Sequence, residues 1–568
     1  MVTAVAEQVW RDAISSGDIN RIATTARRLT EQKSRIDTSF RITVCDKMWR
    51  PMGSVGSDLI EGSGTDPRNE SPSGRLVLKG DSPLVPLFMD CRNTMVGVEV
   101  ETAGYKQAFY TKTNRYKYQD SAWTNTVELA GIWAILDYLV IWPTWWLPLA
   151  TQPFSHAVYM WALQTVCETM VSECAIRIQS GWLEFLNNGL SLNPDVRAWF
   201  GTILQALNRD GLSVSTFTRM LKTPVYVKRT NPFLDTSPMV ARTVRMETCG
   251  QVIRDITKAY GVDTRMDLWR PGDPQPDAWA NLDQPTYVFS TYDRSQVEGP
   301  TKTVLDSVLR TTIDLGGSLG NLFSPVIKQV PGMDGVFHAP LLGVDFEQPY
   351  AIGIAPEPGG DSSIISCEIA DHTPEGWQHI IGGRSPKWLN DLMNATYAWL
   401  IDSLMIVIGF TGIPSDLLSG FLNNSFLAFQ MIQLYDRRDD VGPYHPHIER
   451  IYPTASAPYN IETMFAFLNA IFDSQGYTSA QITFRNGAQY ALGRDIFKGG
   501  LFSLVYFART KMVTDYIENV MWKIGEDYRD VTVQVGDGRK DEAPLAKHQR
   551  FITAAFEIIN TLTLAPQS

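Results

Sequence analysis

Apolar and charged residues intermix through positions 1–35, with no continuous apolar run, and their spacing predicts two short helices, the second N-capped by Asp18. At Phe40 the period changes. Residues 41–48 (RITVCDKM) alternate, and strand-like runs follow at 76–79, 95–100 and 107–118. Turn clusters separate them, one being 62–74 (GSGTDPRNESPSG). Alternation places successive side chains on opposite faces, and short strands at this spacing predict a small barrel or sandwich. Helical periodicity then covers 155–187 and 194–208, with Pro194 at a natural first helical position. A strand at 224–229 comes next. Residues 242–247, 250–260 and 264–269 predict a strand–helix–strand unit, and 285–290 with 302–313 repeats the strand–helix theme.

Residues 316–361 are rich in Gly and Pro and predict loops with short strands. A strand is expected at 362–370. A helical block follows at 386–408 and 415–435, then a helix at 461–474 and a strand near 480–484. Residues 502–522 fit strand or helix, since period alone does not separate them. Residues 531–535 (VTVQV) predict a strand and 542–561 a terminal helix. The expected fold class is α+β and multi-domain: small β-barrel or sandwich domains, mixed strand–helix units and large helical insertions. The changes of period divide the chain at 1–39 (helical), 40–129 (strands), 130–221 (apolar, helical), 222–385 (α+β), 386–475 (helical) and 476–568 (α+β).

The most apolar stretch is 129–150 (LAGIWAILDYLVIWPTWWLPLA), long enough to raise the question of a membrane span. Asp137 sits at its centre and Pro143 and Pro148 break its second half. A central carboxylate is costly in lipid, so a buried or amphipathic insertion is the favoured reading. Contact with an envelope or a partner remains open through Trp133, Trp142, Trp145 and Trp146, because Trp favours the headgroup level.

Length and composition narrow the rest. A chain of 568 residues implies three to four domains at roughly 150 residues each. Apolar residues make up 44% and charged residues 20%, which excludes a disordered chain and implies ample core. The formal net charge of −11 disfavours wrapping DNA, where affinity comes from neutralising phosphates. The six cysteines, at 45, 91, 167, 174, 249 and 367, include no C-x-x-C pair and are too sparse for a disulfide framework; buried thiols are expected. The N-terminus lacks a signal-peptide h-region, so use without Sec export is expected.

Candidate chemistry is thin. Gly316-Gly317-Ser318-Leu319-Gly320 matches G-x-S-x-G, but the segment before it reads as a helix where a nucleophile elbow needs a strand. His445, His447 and Glu449 have the period of a strand face that could hold zinc or iron, yet Pro443 and Pro446 argue for a loop. Basic and aromatic residues interleave from Lys106 to Tyr118, a mix that can stack single-stranded nucleic acid but is more often a two-faced strand. No catalytic residue, cofactor site or metal site is assigned, and the chain is not expected to be an enzyme.

One segment carries a resemblance. Met48-Trp49-Arg50-Pro51-Met52-Gly53, Glu61-Gly62, Pro67-Arg68-Asn69-Glu70-Ser71-Pro72-Ser73-Gly74, Leu76-Val77-Leu78-Lys79-Gly80 and Asp81-Ser82-Pro83-Leu84 follow one another between 41 and 90. Together they resemble the opening of minor tail proteins of long-tailed phages of actinobacteria, similar to the siphovirus tail-hub (tail-associated lysin-like) family. Tyr292-Asp293-Arg294-Ser295 and Ser385-Pro386-Lys387-Trp388 are similar as well.

The resemblance implies a homotrimeric structural hub of the tail tip, or baseplate, in the virion and assembled in the host cytoplasm. It implies closure of the distal end of the tail tube and opening for DNA ejection, with only transient passage of DNA. The implied partners are the distal tail protein, the C-terminal end of the tape-measure protein, and other minor tail proteins or fibres. Residues 40–129 would form a first hub β-domain, with a second inside 222–385. The alternative is an envelope-interacting tail-tip protein working through residues 133–146, or a cell-wall-degrading hydrolase working through Ser318.

Overall fold

The structure is a computed structural model. It describes residues 18–31, 38–147, 152–179, 225–257, 262–293, 328–329, 337–338, 351–357, 364–382, 429–453 and 477–536, less positions 103, 146, 153, 238 and 489, together with residues 9, 12, 13, 16 and 474.

Helix α1 (Ile19–Glu31) begins where expected, and Asp18 Oδ1 accepts the backbone N–H of Asn20 at 3.0 Å. Seven strands then run consecutively: β1 (Arg41–Cys45), β2 (Pro51–Ser54), β3 (Leu59–Pro67), β4 (Ser73–Lys79), β5 (Gly97–Thr102), β6 (Tyr105–Gln119) and β7 (Ala122–Gly131). The short helix α2 (Val85–Met89) lies between β4 and β5. Beyond β7 a 3-10 helix at Ile132–Tyr138 leads to β8 (Ala157–Ala162) and helix α3 (Leu163–Gln179). The next elements are β9 (Val225–Val227), β10 (Met239–Val244), helix α4 (Cys249–Thr257), β11 (Val262–Trp269) and β12 (Thr286–Asp293). A two-stranded pair, β13 (Lys328–Gln329) and β14 (Phe337–His338), precedes β15 (Ala351–Ile354) and β16 (Ile364–His372). Strands β17 (Gln378–Gly382), β18 (Phe429–Gln433) and β19 (Glu449–Pro453) form one small sheet, with helix α5 (Tyr435–Val441) between the last two. The described part of the chain closes with β20 (Tyr477–Arg485), β21 (Leu501–Tyr506), β22 (Lys511–Gly525) and β23 (Arg529–Val535).

Thirteen strands share one curled, half-barrel sheet in the order β16-β20-β23-β22-β3-β4-β7-β6-β5-β1-β2, with β21 on β22 and β15 on β21. The join between its two halves is β22 against β3, antiparallel, with Trp522 opposite Gly64. A Cβ at Gly64 would run into the Trp522 ring, so only glycine lets that buried indole cross the strand. The sheet therefore joins segments that periodicity separates: 40–129 and 476–568 supply most of it, and 222–385 adds β15 and β16. Its inner face is one apolar cluster, from Ile42, Val44, Leu76, Leu78 and Phe109 to Ile482, Leu504, Trp522 and Val533.

A second cluster holds Trp133, Leu136, Met170, Val171, Cys249, Ile253 and Phe289. It is the core of a smaller unit, in which α3, α4 and the 3-10 helix pack with the sheet β11-β12-β9.

The strand-rich reading of 40–129 matches β1–β7, and α+β holds in the broad sense that strands dominate while helices pack beside them. Several expectations change. The helix expected from 155 starts with strand β8, whose Ala-Val-Tyr-Met-Trp-Ala run pairs with β10 from Ala162↔Met239 to Ala157↔Val244. The strand–helix–strand at 242–269 exists as β10, α4 and β11, but β10 pairs with β8 while β11 pairs with β12. It is therefore not one crossover within a sheet. The ambiguous 502–522 is the β21–β22 hairpin, turned by Phe507, Ala508 and Arg509 at positive φ. Of the helical block at 386–475, the described residues hold β18, β19 and α5. The helices expected at 194–208, 302–313, 386–408, 461–474 and 542–561 lie wholly or almost wholly outside the described residues, as does Ser318.

Candidate functional site: a charged seam between two units

Two of the motifs within residues 41–90, those that hold Trp49 and Arg68-Asn69, meet at one place, the junction of the large sheet with β11, β12 and α4. The β3–β4 turn supplies Arg68 and Asn69. Arg68 Nε donates to Asp263 Oδ1 at 2.5 Å, and its Nη1 lies 3.8 Å from Glu518 Oε1 on β22. The Asp263 side chain is fully buried and that of Arg68 is only 7% exposed, so the charges face each other away from water. Arg68 Nη2 also donates to the Thr257 carbonyl at 3.2 Å, at the end of α4.

Asn69 uses both ends of its amide. Its Nδ2 donates to Thr257 Oγ1 (2.9 Å) and the Val262 carbonyl (3.0 Å), while its Oδ1 accepts from the Thr264 backbone N–H (2.7 Å) and hydroxyl (2.9 Å). Its φ of +50° is the left-handed conformation that Asn tolerates better than most residues. Beside it Pro72 packs on Gly131, where a Cβ would come within 2.7 Å of the ring, and the Gly131 N–H donates to the Pro72 carbonyl at 2.7 Å.

A second ion pair extends the seam. Lys498 Nζ donates to Asp66 Oδ1 at 2.7 Å, and the Lys498 carbonyl accepts from the Tyr292 hydroxyl at 2.8 Å. Gly499, at φ +77°, lets the chain pass Asp263 and Tyr292, because a Cβ there would strike both side chains. Asp66 also accepts from the Tyr105 hydroxyl at 3.5 Å, and burial pushes that phenol well above its ordinary range.

The Met48-Trp49-Arg50 motif serves the same junction. Asp46 Oδ1 accepts the backbone N–H groups of Met48 (2.9 Å) and Arg50 (2.8 Å), which holds Trp49 at φ +58°. The indole then meets Tyr287 of β12 edge-on, with ring centroids 6.3 Å apart, and its Nε1 donates to the Tyr287 hydroxyl at 3.1 Å. Nearby, Arg270 Nη2 pairs with Glu99 Oε1 at 2.8 Å and reaches Cys45 Sγ at 3.0 Å. Burial raises the Glu99 carboxyl against the pull of Arg270, and burial pushes the Cys45 thiol up to about 11.

The apolar Trp stretch is tied to the smaller unit. Trp133 is 2% exposed, donates from Nε1 to Thr264 Oγ1 at 3.1 Å, and lies under the guanidinium of Arg254, 5.4 Å from its ring centroid. Arg254 in turn pairs with Asp137 at 2.6 Å. The guanidinium of Arg177 stands 4.1 Å above the Trp142 ring. Trp145 is half-buried, and Trp146 lies outside the described residues. No helix among the described residues is long and apolar enough to cross a membrane.

His445 and His447 stack edge to face at 5.1 Å on a loop beside a shallow groove of about 620 Å³. His445 Nε2 contacts Thr373 Oγ1 at 2.9 Å, and His447 Nδ1 lies 3.4 Å from the Pro374 carbonyl. Glu449 begins β19. Among the described residues no three His, Cys, Asp or Glu side chains gather as a metal site, and His445 and His447 lie on the loop that Pro443 and Pro446 argue for, ahead of β19. Lys112, Arg115, Lys117 and the Tyr116–Trp123 stack lie on the exposed end of the β6–β7 hairpin.

Arg68 and Asn69 stand out in the sequence, but their partners do not, since Asp263 is 195 residues from Arg68. One signal was available: Thr264 interrupts the apolar face that Val262, Met266 and Leu268 set in the β11 run VDTRMDLW, and it and the adjacent Asp263 are fully buried there.

No curated protein matches the sequence. Among solved structures, the chain is similar to the 43 kDa tail protein of prophage MuSo2 from Shewanella oneidensis at 9% identity, over 88% of this chain and 99% of that one, with a TM-score of 0.39. A tail protein from Neisseria meningitidis MC58 is similar at 7% identity, over 90% and 99% of the two chains, with a TM-score of 0.39. Prophage tail protein gp18 from Listeria monocytogenes EGD-e is similar at 8% identity, over 92% and 99%, with a TM-score of 0.34. The family described as Siphovirus ReqiPepy6 Gp37-like protein matches residues 41–537, from the first strand of the large sheet to just past its last, and the chain belongs to that family of siphovirus tail proteins.

Proposed function

We propose that this chain is the structural hub of the tail tip, a homotrimer that closes the distal end of the tail tube and opens for DNA ejection. The carrying observation is the family match across 41–537, which takes in both halves of the sheet and the unit clamped to it. The clamp supports a mechanical role. Arg68, Asn69, Trp49 and Lys498 tie four remote segments through buried polar contacts, and such contacts fix a relative placement rather than maximise stability. Three chains of −11 carry −33, and a negative wall repels phosphate and so does not retain DNA in transit.

The partners of this reading are the distal tail protein above, the end of the tape-measure protein within, and other minor tail proteins or fibres at the periphery. In this reading a second hub β-domain lies within 222–385, the segment that also lends β15 and β16 to the large sheet. In this reading the chain catalyses no reaction on a substrate and uses no cofactor. Burial of Trp133 and the Arg177 cover on Trp142 favour packing over envelope contact at the apolar stretch. Cross-linking of intact virions followed by peptide mapping tests the placement. Links from this chain to the distal tail protein and to the tape-measure C-terminus are expected; links only to tube or capsid subunits would refute it.

A further inference from the structure

Two buried thiols outside the seam touch each other. Cys174 lies in the penultimate turn of α3 and Cys249 opens α4; they are 2% and 0% exposed, and their Sγ atoms are 3.6 Å apart. Their surroundings are unequal. Cys174 accepts the thiol hydrogen bond of Cys249 and lies near Arg177, which donates to the Val140 carbonyl at 2.8 Å; the Cys249 bond first, then the Arg177 charge, lowers the Cys174 thiol. Cys249 is raised, by its bond to Cys174 and then by burial. Cys174 is thus the sulfur of the pair with the greater thiolate character and the Cys249 hydrogen lies against it, while the reduced Cys174 thiol donates to the Val140 carbonyl at 3.4 Å. Forming a bond of about 2.05 Å needs the sulfurs to close by roughly 1.5 Å from their present contact.

We propose that Cys174 and Cys249 form an oxidation site, joined as a disulfide by a peroxide. The Cys174 thiolate attacks one peroxide oxygen; the O–O bond breaks and the departing hydroxide takes the Cys249 proton as water. The Cys249 thiolate then attacks the sulfur of the Cys174 sulfenic acid. The S–O bond breaks, and the second hydroxide takes up the proton that Cys174 had released. Two thiols lose two electrons, one peroxide gains them, and two waters form. The bond closes a loop between positions 75 apart and staples α3 to α4 beside the segment that carries Trp133 and Asp137. A chain made in a reducing cytoplasm and later carried outside the cell would meet the two redox states in that order.

The test is titration of the purified full-length chain with hydrogen peroxide, read by intact mass, by peptide mapping without reduction, and by melting. At one equivalent the expected product is two hydrogens lighter and linked between Cys174 and Cys249. Cys91 and Cys367, although less buried, should stay reduced. The melting midpoint should rise on the order of 5–10 °C and return with dithiothreitol. In Cys249→Ala the Cys174 sulfenic acid should persist and react with dimedone, with no thermal gain. Preferential oxidation of Cys91 or Cys367, over-oxidation of Cys174 without a cross-link, or no mass change in wild type would overturn the proposal, and the wild-type readout stands even where Cys249→Ala fails to fold. The inference rests on the contact within one chain, so its failure would leave the tail-hub reading intact.

Discussion

Replacing Arg68 by methionine keeps most of the side-chain volume and removes the guanidinium from the seam. The side chains of Asp263 and Glu518 are fully buried and 7% exposed, and Asp263 Oδ2 has no hydrogen-bond partner among the described residues. The variant leaves a buried carboxylate without its cation, a change that costs about 3–5 kcal/mol. At about 2–4 °C per kcal/mol for a unit of 150–250 residues, the melting midpoint should fall by on the order of 10 °C. The cost arises from an uncompensated charge, so removing that charge should relieve it. Asp263→Asn is expected to destabilise alone, while Arg68→Met/Asp263→Asn should fall short of the sum of the single effects by about 1–3 kcal/mol. Calorimetric or denaturant unfolding of the four proteins completes the cycle. An Arg68→Met midpoint within a degree of wild type, or strictly additive effects, would refute the seam as a coupled ionic contact.

Other outcomes follow from single contacts. Asn69→Ala loses four hydrogen bonds and places a Cβ residue without Asn's local bonding at φ +50°, so it should destabilise by about 2–4 kcal/mol; Asn69→Gly, which relieves only the backbone, should recover less than half in the same melt. Trp133→Ala, at a 2% exposed site, should cost about 3–5 kcal/mol; no change in melting would mean that the indole is not packed. Burial, then the Arg437 charge, lowers His379 from 6.5 to about 4, so the folded state favours the neutral ring. Its contribution is therefore complete above about pH 6.5 and is lost as pH falls toward 4. Hydrogen-exchange protection factors at 378–382, corrected for the intrinsic rate at each pH, should fall across that window in wild type but not in His379→Gln, and a flat wild-type profile would contradict this assignment.

How much was legible depended on how far each signal reached. The alternation in RITVCDKM and VTVQV marked β1 and β23 because each is half-buried, with side chains sorted by face. Asp18 marked its helix because capping is local. LFSLVY gave no period, since five of its six residues are buried on both faces of β21, and that is why 502–522 remained ambiguous. AVYMWA ran on into α3 without a break in apolar content, so β8 was absorbed into the helix, and only its pairing with β10 made it a strand. Among the many residues that carried the resemblance, Trp49, Arg68 and Asn69 are ones that build the seam. Their partners Tyr287, Asp263 and Glu518 lie hundreds of positions away, where only folding reveals them. The join of β3 to β22 was equally hidden, because no local pattern states which strand a strand will pair with.

The central claim is that three copies of this chain form the hub at the distal end of the tail. Electron cryomicroscopy of intact virions, reconstructed at the tail tip, tests it most directly. The expected map holds three copies around the tube axis at the distal end, each with its half-barrel sheet joined through Trp522 and Gly64 and its Arg68–Asp263 seam closed. A map that places the chain elsewhere in the particle, or at the tip with one or six copies, would contradict the account.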